Sequence, residues 1–189
     1  MRWRFRPSHI GLLGTAAPPY FTAGMVRALP ADGFRYETVH GELLVSRAPS
    51  PAHRRVAVRL AHALARYLAG TGVGRVLAAP AGLAPGPDTL VQPDVFVVPA
   101  PRLRGRTAPL LVAEVATPVT ARAARFTKRR LYQELGVPVY WVADPEAGAV
   151  EVWSPDALLP LVEHARLLWG PSPLHPPLTV PLFDLFGQG

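Results

Sequence analysis

Hydrophobic positions along this chain change their period several times, and each change marks an element. Val56, Leu60, Leu64 and Leu68 recur at four-residue intervals with Tyr67 beside them, which is the spacing of one buried helix face. Ser50 followed by Pro51 supplies an N-cap and a first-turn proline, so this helix is predicted to start at Pro51. The stripe formed by Arg55, Arg59, His62 and Arg66 gives the same helix a basic face. A second helix is predicted over residues 119–135, ending before Gly136, and a short one over 22–29. Between them the apolar pattern shortens to strands. Residues 35–39 and 42–47 flank His40-Gly41 as a hairpin, and strands follow at 75–79, 91–98, 110–116, 139–143 and 150–153. The last two are joined by the turn sequence Asp144-Pro-Glu-Ala-Gly. The Pro-rich segment after Ser154 yields no assignment. Strands among two substantial helices predict an α/β (α+β) domain with a mixed sheet covered by helices on at least one face.

Composition narrows the class. The chain has 189 residues, 49% hydrophobic and 17% charged, enough apolar surface for one folded domain and too little length for two large ones. Cysteine is absent, which excludes disulfides, thiolate nucleophiles and cysteine-based zinc sites. No apolar run approaches the ~18 residues of a membrane span, and the stretch after the basic opening residues is short and interrupted by glycine and proline. A cytoplasmic protein without membrane attachment is the expectation. Prolines cluster between the periodic segments, and no internal repeat is visible.

The net charge is +7, a field that favours a polyanionic partner without specifying one. Of the 20 basic residues, all but Lys128 are arginines. On the second predicted helix Ala124, Lys128, Leu131 and Leu135 share one stripe, so the lone lysine is expected to face the sheet. A snorkelling lysine at a helix edge is the alternative.

Two carboxylates stand where a core is expected. Asp94 interrupts Val-Gln-Pro-Asp-Val-Phe-Val-Val and Glu114 interrupts Leu-Leu-Val-Ala-Glu-Val-Ala. An ionised carboxylate among aliphatic strand residues costs several kcal/mol unless a cation meets it, so both are expected to have a cationic partner or to turn outward onto an arginine. Neighbouring strands could bring the two together. With the backbone carbonyl of Val115 as a third oxygen, the pair suits a hard cation such as Mg²⁺ or Mn²⁺, and Lys128 nearby could orient water or steady a phosphate. That combination points to metal-dependent hydrolysis of a phosphodiester. The histidines are scattered, so an imidazole-based metal site is not expected.

Pro93-Asp94, Glu114 near the end of the next apolar strand and the inward lysine together resemble the PD-(D/E)XK signature of restriction-endonuclease-like nucleases. The resemblance is closer to the Uma-two family of restriction-type endonucleases. It is carried, in order, by Phe34-Arg-Tyr-Glu-Thr-Val-His-Gly-Glu-Leu-Leu, Ser50-Pro-Ala-His, Val91-Gln-Pro-Asp-Val, Val112-Ala-Glu-Val-Ala-Thr-Pro, Lys128-Arg-Arg-Leu-Tyr and Gly136-Val-Pro-Val-Tyr-Trp-Val-Ala-Asp-Pro. The resemblance implies a nuclease domain over 22–189 preceded by an extension over 1–21. It implies Asp94 and Glu114 as the metal pair, Lys128 as a catalytic lysine moved onto the helix because Ala116 holds its usual place, and Glu42 as the upstream acidic residue, with Glu37 ranked behind it. Arg55, Arg59, Arg66, Arg122, Arg125 and Arg129 are the candidate phosphate contacts, or else a solvated face. DNA is the implied partner, and a symmetric homodimer the default assembly. The sequence departs from the family at His40 and Ala124, where acidic residues are usual. That leaves open a catalytically inactive nuclease-like module that binds nucleic acid or a protein.

Overall fold

The computed structural model describes residues 19–101 and 108–187. The expected N-terminal extension lies outside the described residues as far as residue 18. In chain order the elements are α1 (Ala23–Arg27), β1 (Phe34–Val39), β2 (Glu42–Arg47), α2 (Pro51–Thr71), β3 (Gly74–Ala78), β4 (Leu83–Gly86), β5 (Thr89–Val91), β6 (Val95–Pro99) and β7 (Leu111–Val115). Helix α3 follows, opening as a π-helical stretch Ala123–Lys128 and continuing as α-helix Arg129–Glu134. Then come β8 (Tyr140–Asp144), β9 (Ala149–Trp153), β10 (Leu161–Glu163), β11 (Arg166–Trp169), β12 (Leu178–Pro181) and α4 (Leu182–Phe186).

The hydrophobic period translates directly into layers. A six-stranded mixed sheet has the order β10-β9-β8-β7-β6-β3. Within it β7 and β8 are parallel, with α3 as their crossover, while the other neighbouring pairs are antiparallel. Alternate side chains go to opposite faces. Val95, Val97, Leu111, Ala113 and Val115 pack with Val56, Leu60, Leu64 and Leu68 of α2, whereas Phe96, Val112, Tyr140 and Val142 pack with Leu131 and Tyr132 of α3. Glu114 shares the parity of Val112 and therefore belongs to the α3 face. The second sheet, β2-β1-β5-β4, contributes Val39 and Val91 to that same cluster.

Local signals explain the boundaries. The Ser50 hydroxyl accepts the His53 N–H at 3.2 Å at the start of α2, and Gly72 ends it in the left-handed region at φ 59°. In the β1–β2 turn both His40 and Gly41 have positive φ, the backbone of a tight hairpin turn. Gly41 has a further constraint, because a Cβ there would stand 2.2 Å from the Tyr20 ring.

Two expectations need correction. The run over 91–98 is not one strand: β5 and β6 lie in different sheets, and the chain passes between them at Pro93, whose missing N–H cannot serve a ladder. The proline-rich 80–87 region likewise contains β4, an edge strand where few backbone donors are needed. The unassigned C-terminal segment forms the β11–β12 hairpin and α4, which close the outer side of α2 with Leu167, Trp169, Val180, Leu182 and Leu185.

Leu64 is fully buried at the centre of that cluster. Leu64→Ala is expected to lower the unfolding free energy by about 2–5 kcal/mol in urea titration, whereas Val58→Ala, on the exposed side of the same helix, should change it by less than about 0.5 kcal/mol.

Candidate active site

The acidic residues that interrupt the apolar pattern meet at the junction of the two sheets. Asp94 sits immediately before β6, one step beyond the last cross-strand pair, Val95 with Ala113, and this register directs it toward Glu114 on β7. Glu37 enters from β1 of the smaller sheet, and Lys128 from the π-helical end of α3. All four, with Arg35 and His53, line one cavity of about 590 Å³, to which the exposed side chains of Phe34, Val45, Arg47 and Val119 also contribute. Among the described residues no helix is long and apolar enough to cross a membrane.

Lys128 is the junction's centre. Its Nζ stands 2.8 Å from Glu37 Oε1 and 2.9 Å from Glu114 Oε1, although all three side chains are buried. Tyr132, one turn along α3, donates its hydroxyl to the same Glu114 oxygen at 3.0 Å. Glu37 Oε1 also accepts the backbone N–H of Gln92 at 2.7 Å. Asp94 is held separately. Its Oδ1 accepts Arg35 Nη1 at 3.1 Å and its Oδ2 accepts the Val115 N–H at 2.8 Å. His53 Nε2 lies 3.0 Å from Oδ2 without the alignment of a hydrogen bond, and its buried Nδ1 has no partner among the described residues.

The helix that delivers Lys128 is widened at that point. The Arg129 N–H reaches back five residues to the Ala124 carbonyl, and the Tyr140 hydroxyl donates to the same carbonyl at 3.0 Å. A side chain from β8 is thus inserted in the helix ladder where the lysine emerges, a familiar origin of a π-turn.

Burial and mutual charge perturb the titratable groups of this cluster in different directions. Burial pushes the Glu114 carboxyl up to about 7; Lys128 pulls it down, and the neighbouring Asp94 and Glu37 push it up further. Burial weakens the Lys128 ammonium, but Glu114 and Glu37 outweigh that and raise its proton affinity, so it is charged. For Asp94 burial is again the largest influence and acts upward, yet His53, Arg35 and the Val115 N–H together hold it below its usual value. The Tyr132 hydroxyl is pushed far up by burial and by Glu114, and so remains a neutral donor.

Other sequence candidates fall elsewhere. Glu42 is exposed on β2 and outside the cavity; Glu37, ranked behind it, stands in the cluster because it shares the β1 face with Arg35. Val115 lines the cavity, but the group it gives Asp94 is its N–H. Half of the arginine set is engaged within the fold. Arg59 donates to the Leu185 and Gly187 carbonyls at 3.2 and 2.6 Å, and Arg125 binds Glu151 and Asp144. Arg129 stacks 4.0 Å over Trp153 and donates to the Ala157 carbonyl. Arg55, Arg66 and Arg122 are exposed. His40 faces Glu134 at 2.7 Å and does not line the cavity. Sequence reasoning passed over Arg35, His53 and Tyr132. The signals available were the alternation Arg35–Glu37, the position of His53 in the first turn of a capped helix, and the four-residue step from Lys128 to Tyr132.

Two comparisons place this architecture, while none of the curated proteins matches the chain. A crystal structure of "a putative nuclease belonging to DUF820" from Anabaena variabilis superposes with a TM-score of 0.69. It is 18% identical, and the match covers 88% of this chain and 97% of that one, so it shows a shared fold. The Uma2 family, described as "Putative restriction endonuclease", matches residues 25–183, and the chain belongs to that family.

Proposed function

We propose that this protein is a divalent-metal-dependent endonuclease acting on DNA, with Glu37, Asp94 and Glu114 as metal ligands and Lys128 as the catalytic lysine. The observation that carries this reading is that three carboxylates from three strand segments line one cavity, two of them on the buried Lys128 ammonium and the third on Arg35. Family membership supports it at the level of a nuclease.

The donor set fits a hard cation. Glu37 and Glu114 each commit Oε1 to internal partners, and neither Oε2 has a hydrogen bond among the described residues. Asp94 adds Oδ1, at present paired with Arg35. Among the described residues no three His, Asp or Glu side chains are already gathered around a point, because Lys128 and Arg35 stand between them. Three carboxylates against those two cations leave a negative surplus, which a divalent ion would offset. When bound, such an ion supplies charge neutralisation at the phosphate and acidification of water.

The chain's own groups do the rest. Lys128 spends two N–H groups on Glu37 and Glu114, and its third is directed by default to the cavity, where it can hold the attacking water or a phosphate oxygen. Tyr132 fixes the Glu114 rotamer and keeps that carboxylate from rotating away. An arginine would not serve at position 128, since a planar fork cannot place one nitrogen between two carboxylates in this space. Exposed Arg55, Arg66 and Arg122 are the remaining candidates for salt-dependent contacts to DNA phosphates.

Cleavage of plasmid DNA with Mg²⁺ or Mn²⁺ is expected for the wild type, and Glu114→Ala and Lys128→Ala should each lower the rate by at least about 100-fold. Unchanged cleavage in both variants would contradict the assignment. The metal-free protein offers a second test through stability. A carboxyl raised to about 7 in the folded state binds its proton more tightly than in the unfolded chain, so Glu114 lowers stability progressively from the ordinary glutamate range up to about pH 7. Glu114→Gln removes that loss, and urea unfolding should show its stability relative to wild type rising between pH 5 and pH 8. An unchanged difference across that interval would mean that Glu114 is not raised.

A further inference from the structure

The cation that covers Asp94 in this structure belongs to the chain itself. Arg35 Nη1 stands 3.1 Å from Asp94 Oδ1 and 3.4 Å from the Gln92 carbonyl. The other carboxylate oxygen, Oδ2, already accepts the Val115 N–H at 2.8 Å and lies 3.0 Å from His53 Nε2. Oδ1 is therefore the Asp94 oxygen that can turn to a metal ion, and the guanidinium is what occupies it. Glu37 and Glu114 are different, since the lysine takes only one oxygen of each.

We propose that Arg35 is an exchangeable internal cation. It neutralises Asp94 in the metal-free protein, is released from Oδ1 when a divalent ion binds, and then takes the phosphodiester of the substrate. The inference rests on the metal-site reading above and adds a substrate-contacting residue to it.

Charge balance supports the exchange. Without metal and with every carboxyl ionised, Glu37, Asp94 and Glu114 exceed Arg35 and Lys128 by one negative charge. With a divalent ion the three carboxylates are matched by the ion and Lys128, and the charge on Arg35 becomes surplus. One surplus positive charge is what a single phosphodiester requires, and a planar guanidinium suits phosphate oxygens geometrically. Space for the movement exists on either side. Arg35 lines the cavity of the acidic residues and also a neighbouring one of about 590 Å³ bounded by Tyr36, Pro80 and Gln92. Among the described residues its hydrogen-bond partners are the Asp94 oxygen and one carbonyl at the limit of hydrogen-bond distance.

The test is a Mn²⁺ titration, followed by electron paramagnetic resonance, of wild type, Arg35→Gln and Arg35→Lys, with circular dichroism to verify folding. Arg35→Gln removes the rival charge and is expected to bind Mn²⁺ about tenfold more tightly, a modest share of what close charge pairs contribute. Arg35→Lys keeps the charge but loses the second contact, and is expected about threefold tighter than wild type, which keeps the question answerable if the glutamine variant does not fold. In the presence of Ca²⁺, a fluorescent DNA oligonucleotide should bind Arg35→Gln about tenfold more weakly, opposite in sign to the Mn²⁺ effect. Mn²⁺ affinity equal to or below that of wild type in both variants would overturn the exchange and make Arg35 a support for Asp94. Unchanged DNA affinity in Arg35→Gln would overturn the hand-over to phosphate. Absence of Mn²⁺ binding in wild type and variants alike would overturn the metal site itself, a different failure from either of these.

Discussion

The ammonium of Lys128, buried between Glu37 and Glu114, ties together parts of the protein that share little else. Glu37 belongs to the smaller sheet, Glu114 to the larger one, and the lysine to the helix that crosses over between β7 and β8. Three charges removed from water are tolerable only while each satisfies the others, and deleting one partner of a buried pair characteristically costs about 3–5 kcal/mol. The arrangement is therefore cooperative. The side chain that would act on a substrate is also the one that holds two sheets in register around it, so stability and activity are coupled at position 128.

Around this junction the fold spends ordinary secondary-structure devices on placing charge. Pro93 ends one sheet's pairing and delivers Asp94 at the start of the next strand. The Tyr140 hydroxyl occupies the Ala124 carbonyl in the widened turn from which Lys128 projects. Tyr132 and the Gln92 N–H each orient one glutamate. The result is a cavity lined by Glu37, Asp94 and Glu114, in which the Glu114 carboxyl is held at a proton affinity above that of an exposed carboxylate and Asp94 below it. Oppositely perturbed carboxyls in an open cleft are what the proposed site requires, and they are the electrostatic side of that proposal.

Much of this was legible in the amino-acid sequence, and for reasons that can be named. Asp94 and Glu114 stood out because a carboxylate in an aliphatic run conflicts with burial, and Lys128 because helical spacing set it on the inward stripe. Both the family and the mixed-sheet fold with flanking helices agree with the sequence reading. Glu37 was ranked below Glu42 because alternation within a hairpin does not say which face meets the second sheet; that depends on Gln92, far away in sequence. His53 was set aside for lack of metal-ligand spacing, yet its partner is a carboxylate reached only after the chain has crossed two sheets. The arginines illustrate a different limit. Helical stripes identified them as basic, but Arg59, Arg125 and Arg129 find carbonyls, carboxylates and an aromatic ring in segments that helical spacing alone could not pair with them.

The most direct check on the metal site is the anomalous scattering of crystals soaked in Mn²⁺. A single strong peak is expected in the cavity, with oxygens of Glu37, Asp94 and Glu114 about 2.1–2.2 Å from it and the Lys128 ammonium outside its coordination sphere. A peak bound elsewhere on the surface, or no peak at saturating Mn²⁺, would contradict the account.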